Sequence, residues 1–128
     1  MPTEAQKNVV VVEDDASVRR AILRLLHAAG QRAIGFPSAE ALLKALVVAE
    51  AGCLVLDISL PGLSGFELYQ RLLESHWKLP VIFITGNESP STAEWARKLD
   101  AIAYLVKPIS EEDLLDAITR GLSLGDDS

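Results

Sequence analysis

Asp57 ends an uninterrupted apolar run, Cys53-Leu54-Val55-Leu56, and is followed by Ile58-Ser59-Leu60-Pro61-Gly62. Short apolar runs bounded by turn residues read as buried strands. In α/β folds the carboxyl ends of such strands carry the sites. Other short runs in this chain also end in reactive side chains. Residues 9–12 lead into Glu13-Asp14-Asp15, 81–84 into Thr85-Gly86-Asn87, and 102–106 into Lys107-Pro108. If the runs lie parallel, all of these ends share one rim with Asp57. Carboxylates that converge without His or Cys favour a hard divalent ion, Mg2+ above all. Asp14 and Asp57 are expected to bind it directly, a backbone carbonyl near Ser59 to fill another position, and Glu13 to reach it through water. Glu13, Asp14 and Asp57 bring −3, and Lys107 with a divalent ion brings +3. So neutralised, Asp57 stays ionised and nucleophilic; without the metal, repulsion raises at least one carboxyl pKa. A carboxylate nucleophile, a lysine, a hydroxyl and a metal are the parts of a phosphoryl-transfer site. Thr85 is placed to donate to a phosphoryl oxygen, with Gly86 leaving room beside it.

Each piece has a plainer reading. Glu13-Asp14-Asp15 before a helix serves for capping and dipole complementation, and Asp15 in particular reads as a cap. A lone Asp at a strand end is commonly a turn residue, and Thr-Gly is an ordinary strand exit. It is the set, one member per strand end, that points to chemistry.

The elements that must position this set follow from hydrophobic spacing. Five apolar runs (9–12, 33–36, 54–56, 81–84 and 102–106) are each followed by a stretch with helical periodicity. Val18, Ile22, Leu25 and Leu26 form the apolar face of the first helix. Leu42, Leu43, Leu46 and Val47 serve the second, with Ser38 as N-cap and Glu40 in its first turn. Phe66, Leu68, Leu72 and Leu73 serve the third. The fourth is expected to begin near Ser91 or Thr92 and run to Leu99, with a thin face (Ala93, Trp95, Ala96, Leu99) that makes it the most mobile of the set. Ser110 caps the fifth, followed by Glu111, Glu112 and Asp113, with Leu114, Leu115, Ile118 and Leu122 inward. Regular β-α alternation implies a (βα)5 domain, a five-stranded parallel sheet with helices on both faces. The 33–36 run is the least apolar and suits an edge; the other four read as central strands. Residues 1–122 form the domain, and 123–128 read as a tail or the start of a linker.

Composition narrows the function further. With 128 residues the chain is one domain with room for a single core. Its mean hydropathy is +0.23, yet no apolar run approaches the ~20 residues of a membrane span. The polar start does not read as a signal peptide, so a cytoplasmic location is expected. The net charge of −6 and pI near 4.8 argue against direct nucleic-acid contact by this domain. The single cysteine, Cys53, reads as a packed thiol.

With these residues in place the chain resembles the receiver domain of two-component response regulators. Val11-Val12-Glu13-Asp14-Asp15 is similar to that family's acidic pocket, and Leu56-Asp57 through Gly65 to its phosphoacceptor strand and loop. Ile84-Thr85-Gly86 and Tyr104-Leu105-Val106-Lys107-Pro108 are similar to its switch segments. The resemblance runs from Val9 to about Leu122. It implies a flavodoxin-like, doubly wound sheet in the order 2-1-3-4-5. It implies that Asp57 takes a phosphoryl group from a phosphohistidine on a sensor histidine kinase or a phosphotransfer protein. It further implies Mg2+ on Asp14, Asp57 and the Ser59 carbonyl with Glu13 assisting, Lys107 on the phosphoryl oxygens, and a cis bond before Pro108. Thr85 and Tyr104 would move on phosphorylation, and Asn87 would tune dephosphorylation. The helix-four, strand-five, helix-five face is the one expected to carry output or a homodimer.

The chain departs from the family pattern at Glu13, where Asp is commoner, and at Asp100, where relatives have Gly. Asp100 is expected to adopt the left-handed conformation at some cost. The Thr-Gly exit and the spacing from Asp57 to Lys107 resemble receivers of helix-turn-helix transcription factors, although a stand-alone phosphorelay receiver fits the same residues. A Mg2+-dependent aspartyl-phosphate phosphatase would want a carboxylate where Ser59 stands. A pseudo-receiver would not need the full set of Asp14, Asp57, Thr85 and Lys107.

Overall fold

The structure is a computed structural model that describes residues 7–45 and 48–126. Its strands are β1 (Asn8–Val12), β2 (Ala33–Phe36), β3 (Ala51–Asp57), β4 (Val81–Thr85) and β5 (Ala103–Val106). They alternate with helices α1 (Ala16–Ala28), α2 (Ala39–Ala45), α3 (Gly65–Glu74), α4 (Pro90–Lys98) and α5 (Glu111–Asp126), and a short 3-10 turn, Val48–Glu50, precedes β3. All pairings are parallel and the order is β2-β1-β3-β4-β5, the flavodoxin-like arrangement.

Alternation along the strands divides the core into two layers. Val10, Val12, Leu54, Leu56 and Phe83 face α2, α3 and α4. Val9, Val11, Cys53, Val55, Ile82 and Ile84 face Ile22 and Leu26 of α1 and Leu114, Ala117 and Ile118 of α5. Each of β1, β3 and β4 is covered on both faces, which is why these strands are apolar at consecutive positions. β5 corrects the hydropathy reading and agrees with the order 2-1-3-4-5 that the resemblance implied. It is an edge strand with only partial burial, and its apolar residues serve the helices packed on either side of it.

Local chemistry sets the helix boundaries. The Ser38 hydroxyl accepts from the Ala41 amide, and the Ser110 hydroxyl from the Asp113 amide, as expected of caps. α4 starts earlier than its spacing implied. Ser89 and Thr92 form a reciprocal capping box, and Pro90 occupies the first turn, where its missing N–H costs nothing. α5 continues four residues beyond Leu122, to Asp126. Leu46 and Val47, assigned above to the second helix, lie outside the described residues.

The register aligns the site. Val12 pairs with Leu56, so Glu13 follows β1 at the level of Asp57. Asp57 pairs with Ile84, and Thr85 with Val106. Glu13, Asp57, Thr85 and Lys107 therefore emerge from adjacent strands within two residues of one another in level.

Candidate functional site: an acidic rim clamped by a lysine

Polar side chains are expensive to bury unless paired, and this rim buries several. Glu13 and Thr85 are fully buried and Asp57 is 2% exposed, whereas Asp14 faces solvent. One carboxylate oxygen from each of Glu13, Asp14 and Asp57 falls within a common 4.8 Å. The Lys107 ammonium reaches in from the end of β5, 2.7 Å from Glu13 Oε1 and 3.1 Å from Asp57 Oδ2. Desolvation pulls the lysine pKa down, but its two carboxylate partners outweigh that and raise it. The peptide bond from Lys107 to Pro108 is cis.

Glu13 is the most perturbed member. Burial, with the neighbouring Asp57 adding to it, pushes its pKa up to about 7 despite the opposing charge of the Lys107 ammonium and the bond from the Asp15 amide. Oε2 accepts from the Asp15 amide at 3.0 Å. Oε1 lies close to the ammonium but out of line for a hydrogen bond, so it is paired in charge and lacks a directional partner. A buried acceptor without an aligned donor, beside two further carboxylates, suits a water held by a hard cation. The residues present fit such an ion.

The loops around Asp57 are pinned by short bonds. Asp57 Oδ1 accepts from the Ser59 amide at 2.9 Å, closing an Asx turn that brings Ser59 back to the carboxylate. A Cβ at position 65 would lie 2.5 Å from the Asp57 carbonyl oxygen, so Gly65 lets α3 start directly against the strand end. Asp15 takes the role of N-cap of α1, accepting from the Ser17 hydroxyl and from the Val18 and Ser17 amides, and those bonds, the hydroxyl's foremost, hold its pKa down. Thr85 Oγ1 accepts from the Asn87 amide at 3.0 Å, leaving its proton free to donate. The space beside Gly86 is open. A Cβ there would meet only the Lys107 side chain, at an ordinary 3.8 Å.

Of the residues singled out in the sequence, Glu13, Asp14, Asp57, Thr85 and Lys107 converge on this rim, and Ser59 and Asn87 touch it through their amides. Tyr104 does not enter it: its hydroxyl is bonded to Thr92 on α4. Trp95 stacks on Phe66 with centroids 4.5 Å apart while 40% exposed, so it caps the core edge and faces solvent as well. His27 and His76 are both at the surface. Spacing did not reveal three supporting contacts. The Arg19 guanidinium donates to the Glu13 carbonyl at 2.6 Å, Glu40 accepts from the Leu63 amide, and Thr92 meets Tyr104. These contacts join separate elements, and no local pattern encodes them.

A doubly wound parallel sheet with an acidic pocket and a lysine at its carboxyl edge defines a class of signalling domain, the CheY-like receiver. The chain belongs to the response regulator receiver domain family, whose sequence model matches residues 9–119. It is 38% identical over 118 residues to nodulation protein W of Bradyrhizobium diazoefficiens, covering 91% of this chain and 52% of that protein. It is also 38% identical over 116 residues to the transcriptional regulatory protein TdiR of Thauera aromatica, covering 91% and 51%. Among solved structures, response regulator StyR superposes with a TM-score of 0.89 at 40% identity, covering 96% of this chain and 62% of that one. The chain spans about half the length of the curated relatives it matches. No helix among the described residues is long and apolar enough to cross a membrane.

Proposed function

We propose that the protein is a phosphorylation-dependent switch in a phosphorelay, with Asp57 as phosphoacceptor. The observation that carries this reading is the placement of Asp57, 2% exposed, with Lys107 Nζ 3.1 Å from Oδ2 and the carboxylates of Glu13 and Asp14 grouped with its own. An Asp57 oxygen attacks the phosphorus of a phosphohistidine on a histidine kinase or phosphotransfer protein. The P–N bond breaks, and its electron pair returns to the imidazole nitrogen. Asp14, Asp57 and the Ser59 carbonyl hold Mg2+, with Glu13 joining through water. When bound, the ion neutralises the carboxylates and the incoming phosphoryl oxygens. Lys107 keeps its positive charge beside Asp57 and pairs with the transferred group. Thr85, whose Oγ1 already accepts from Asn87, has a proton to donate to that group. Asn87 influences the access of water.

Tyr104 leaves Thr92 and moves inward once Thr85 is drawn to the phosphoryl group. The face of α4, β5 and α5, which exposes Trp95 and Val106, then changes what it binds, including a second copy of the chain. The family's transcriptional regulators support an output in transcription through a separate domain. The net charge of −6 supports leaving DNA contact to that domain. A soluble, cytoplasmic setting follows from the kinase partnership.

The test is incubation with Mg2+ and acetyl phosphate followed by intact mass spectrometry. A single phosphoryl adduct is expected in the wild type and none in Asp57→Asn. An unmodified wild type under all conditions, or turnover of diverse phosphate esters, overturns the reading.

A further inference from the structure

The loop from Asp57 to α3 has a demanding task in the reading above, on which this inference rests. It must reverse direction within seven residues while presenting the Ser59 carbonyl to a cation. Its first half is well held. The Ser59 amide is bonded to Asp57, and the Ile58 and Leu60 side chains are buried in the core. In its second half Pro61 and Gly62 are exposed, the Leu63 side chain is half-buried against the core, and Pro61 has no amide proton to contribute.

A carboxylate from another element holds that second half. Glu40, in the first turn of α2, accepts from the Leu63 amide at 3.1 Å across 23 positions of sequence. This bond holds the Glu40 carboxyl below the usual carboxylate range. Gly62 makes the approach possible. Its φ is +74°, and a Cβ built there would lie 2.7 Å from Glu40 Oε2, so a side chain at 62 would drive the carboxylate away. α2 does not otherwise take part in the site. Its carboxylate, aimed at a backbone amide in the loop that carries the Ser59 carbonyl, joins this helix to the acceptor pocket.

We infer that Glu40 is a positioning residue for the phosphoacceptor site: by holding the Leu63 amide it fixes the turn that presents the Ser59 carbonyl, and so sets cation affinity. Removing it frees the amide and lets the Pro61-Gly62-Leu63 segment move relative to Asp57. Gln keeps an acceptor oxygen at the same reach and preserves the role without the charge.

The experiment compares wild type, Glu40→Ala and Glu40→Gln for Mg2+ affinity by calorimetric titration, and for the rate of adduct formation with acetyl phosphate. Glu40→Ala should weaken Mg2+ binding about tenfold, the low end for groups that orient a metal ligand. Phosphorylation should slow in proportion at subsaturating Mg2+ and recover at saturating Mg2+, a split that a general loss of structure would not produce. Glu40→Gln should stay close to wild type. The proposal is overturned if Glu40→Ala changes affinity by less than about twofold, if saturating Mg2+ fails to restore the rate, or if Glu40→Gln is as impaired as Glu40→Ala. Absence of Mg2+ binding in the wild type would overturn the site itself, a result separate from all of these.

Discussion

The Tyr104 hydroxyl lies 2.5 Å from the Thr92 hydroxyl, which joins the edge strand β5 to the first turn of α4. Thr92 is also the return half of the α4 capping box: Oγ1 accepts from the Ser89 amide and can donate to the Ser89 carbonyl. One threonine thus holds the end of α4 and the aromatic ring of β5. Displacement of Tyr104 would cost α4 a partner at its N-terminus. Such a helix end, with few buried contacts behind it, is suited to rearrangement.

That coupling is measurable. Tyr104→Phe and Thr92→Val should each destabilise the domain, Thr92→Val more because it also loses the cap. A double-mutant cycle in urea should give a coupling of about 0.5–1.5 kcal/mol for the shared hydrogen bond. A coupling near zero would mean that the two hydroxyls do not hold each other.

Glu13 should give the metal-free protein an unusual pH dependence. Its pKa is about 7 when folded against 4.5 for the ordinary group, so between those values the folded state binds the extra proton. Stability from this group is therefore greatest below pH 4.5 and declines as pH rises through 7. With chelator present, urea unfolding should show a gain of about 1–2 kcal/mol from pH 8 to pH 5.5, after allowance for screening at the open rim. Lys107 stays charged across this range because its pKa is raised. Glu13→Gln should flatten the profile, and an unchanged profile in that variant would assign the effect to another group.

Asp14 and Asp15 are neighbours with different tasks. Asp15 caps α1 through the Ser17 and Val18 amides, whereas Asp14 is exposed and grouped with Glu13 and Asp57. Asp15→Ala should lower the thermal midpoint by several degrees and leave Mg2+ affinity nearly unchanged. Asp14→Asn should reverse the pattern, removing Mg2+ binding while holding the midpoint or raising it through relief of repulsion. Equal effects of both substitutions on both measurements would refute the division.

Cys53 tests the packing of the central strand. It is fully buried in β3, and burial pushes its thiol up to about 12. At pH 8 it should react with a disulfide reagent only through unfolding, so labelling should follow the global unfolding equilibrium across a urea series. Fast labelling in the absence of denaturant would mean that β3 opens locally against α5.

The strands and their order of use were legible because a doubly covered parallel strand must be apolar at every position. Asp57, Glu13, Thr85 and Lys107 were legible because each directly ends such a run. The edge position of β5 was not legible in hydropathy, since Ala103, Leu105 and Val106 read as apolar as any central strand; it came only with the order 2-1-3-4-5 that the family resemblance implied. Tyr104 was correctly placed on the strand, but its partner was hidden because Thr92 reads locally as a helix-start residue. Glu40 likewise read as a dipole-complementing acid. The loop that supplies its partner is distant in sequence, and hydrogen bonds of that kind leave no periodicity.

The helix ends show one further pattern that the sequence disclosed only in part. α1, α3 and α4 all finish in the same double turn. The amides of Gly30 and Gln31 bond to the carbonyls of His27 and Leu26, those of His76 and Trp77 to Leu73 and Leu72, and those of Asp100 and Ala101 to Arg97 and Ala96. This Schellman closure needs a left-handed residue at its corner, and the corner residues Gly30, His76 and Asp100 have φ of 82°, 68° and 58°. Glycine takes that conformation freely; His and Asp pay about 1 kcal/mol for it. Asp100 also sets a negative charge against the negative end of the α4 dipole. His76→Gly and Asp100→Gly should therefore each stabilise the domain by up to about 0.5 kcal/mol in urea unfolding, after the greater freedom of an unfolded glycine is counted. Their effects should add, because the two corners lie on different helices and share no hydrogen bond. Gly30→Ala should cost about 1 kcal/mol although its Cβ would enter open space, since the penalty lies in the backbone alone. A neutral Gly30→Ala together with destabilising glycines at 76 and 100 would show that side-chain contacts, not backbone conformation, fix these helix ends.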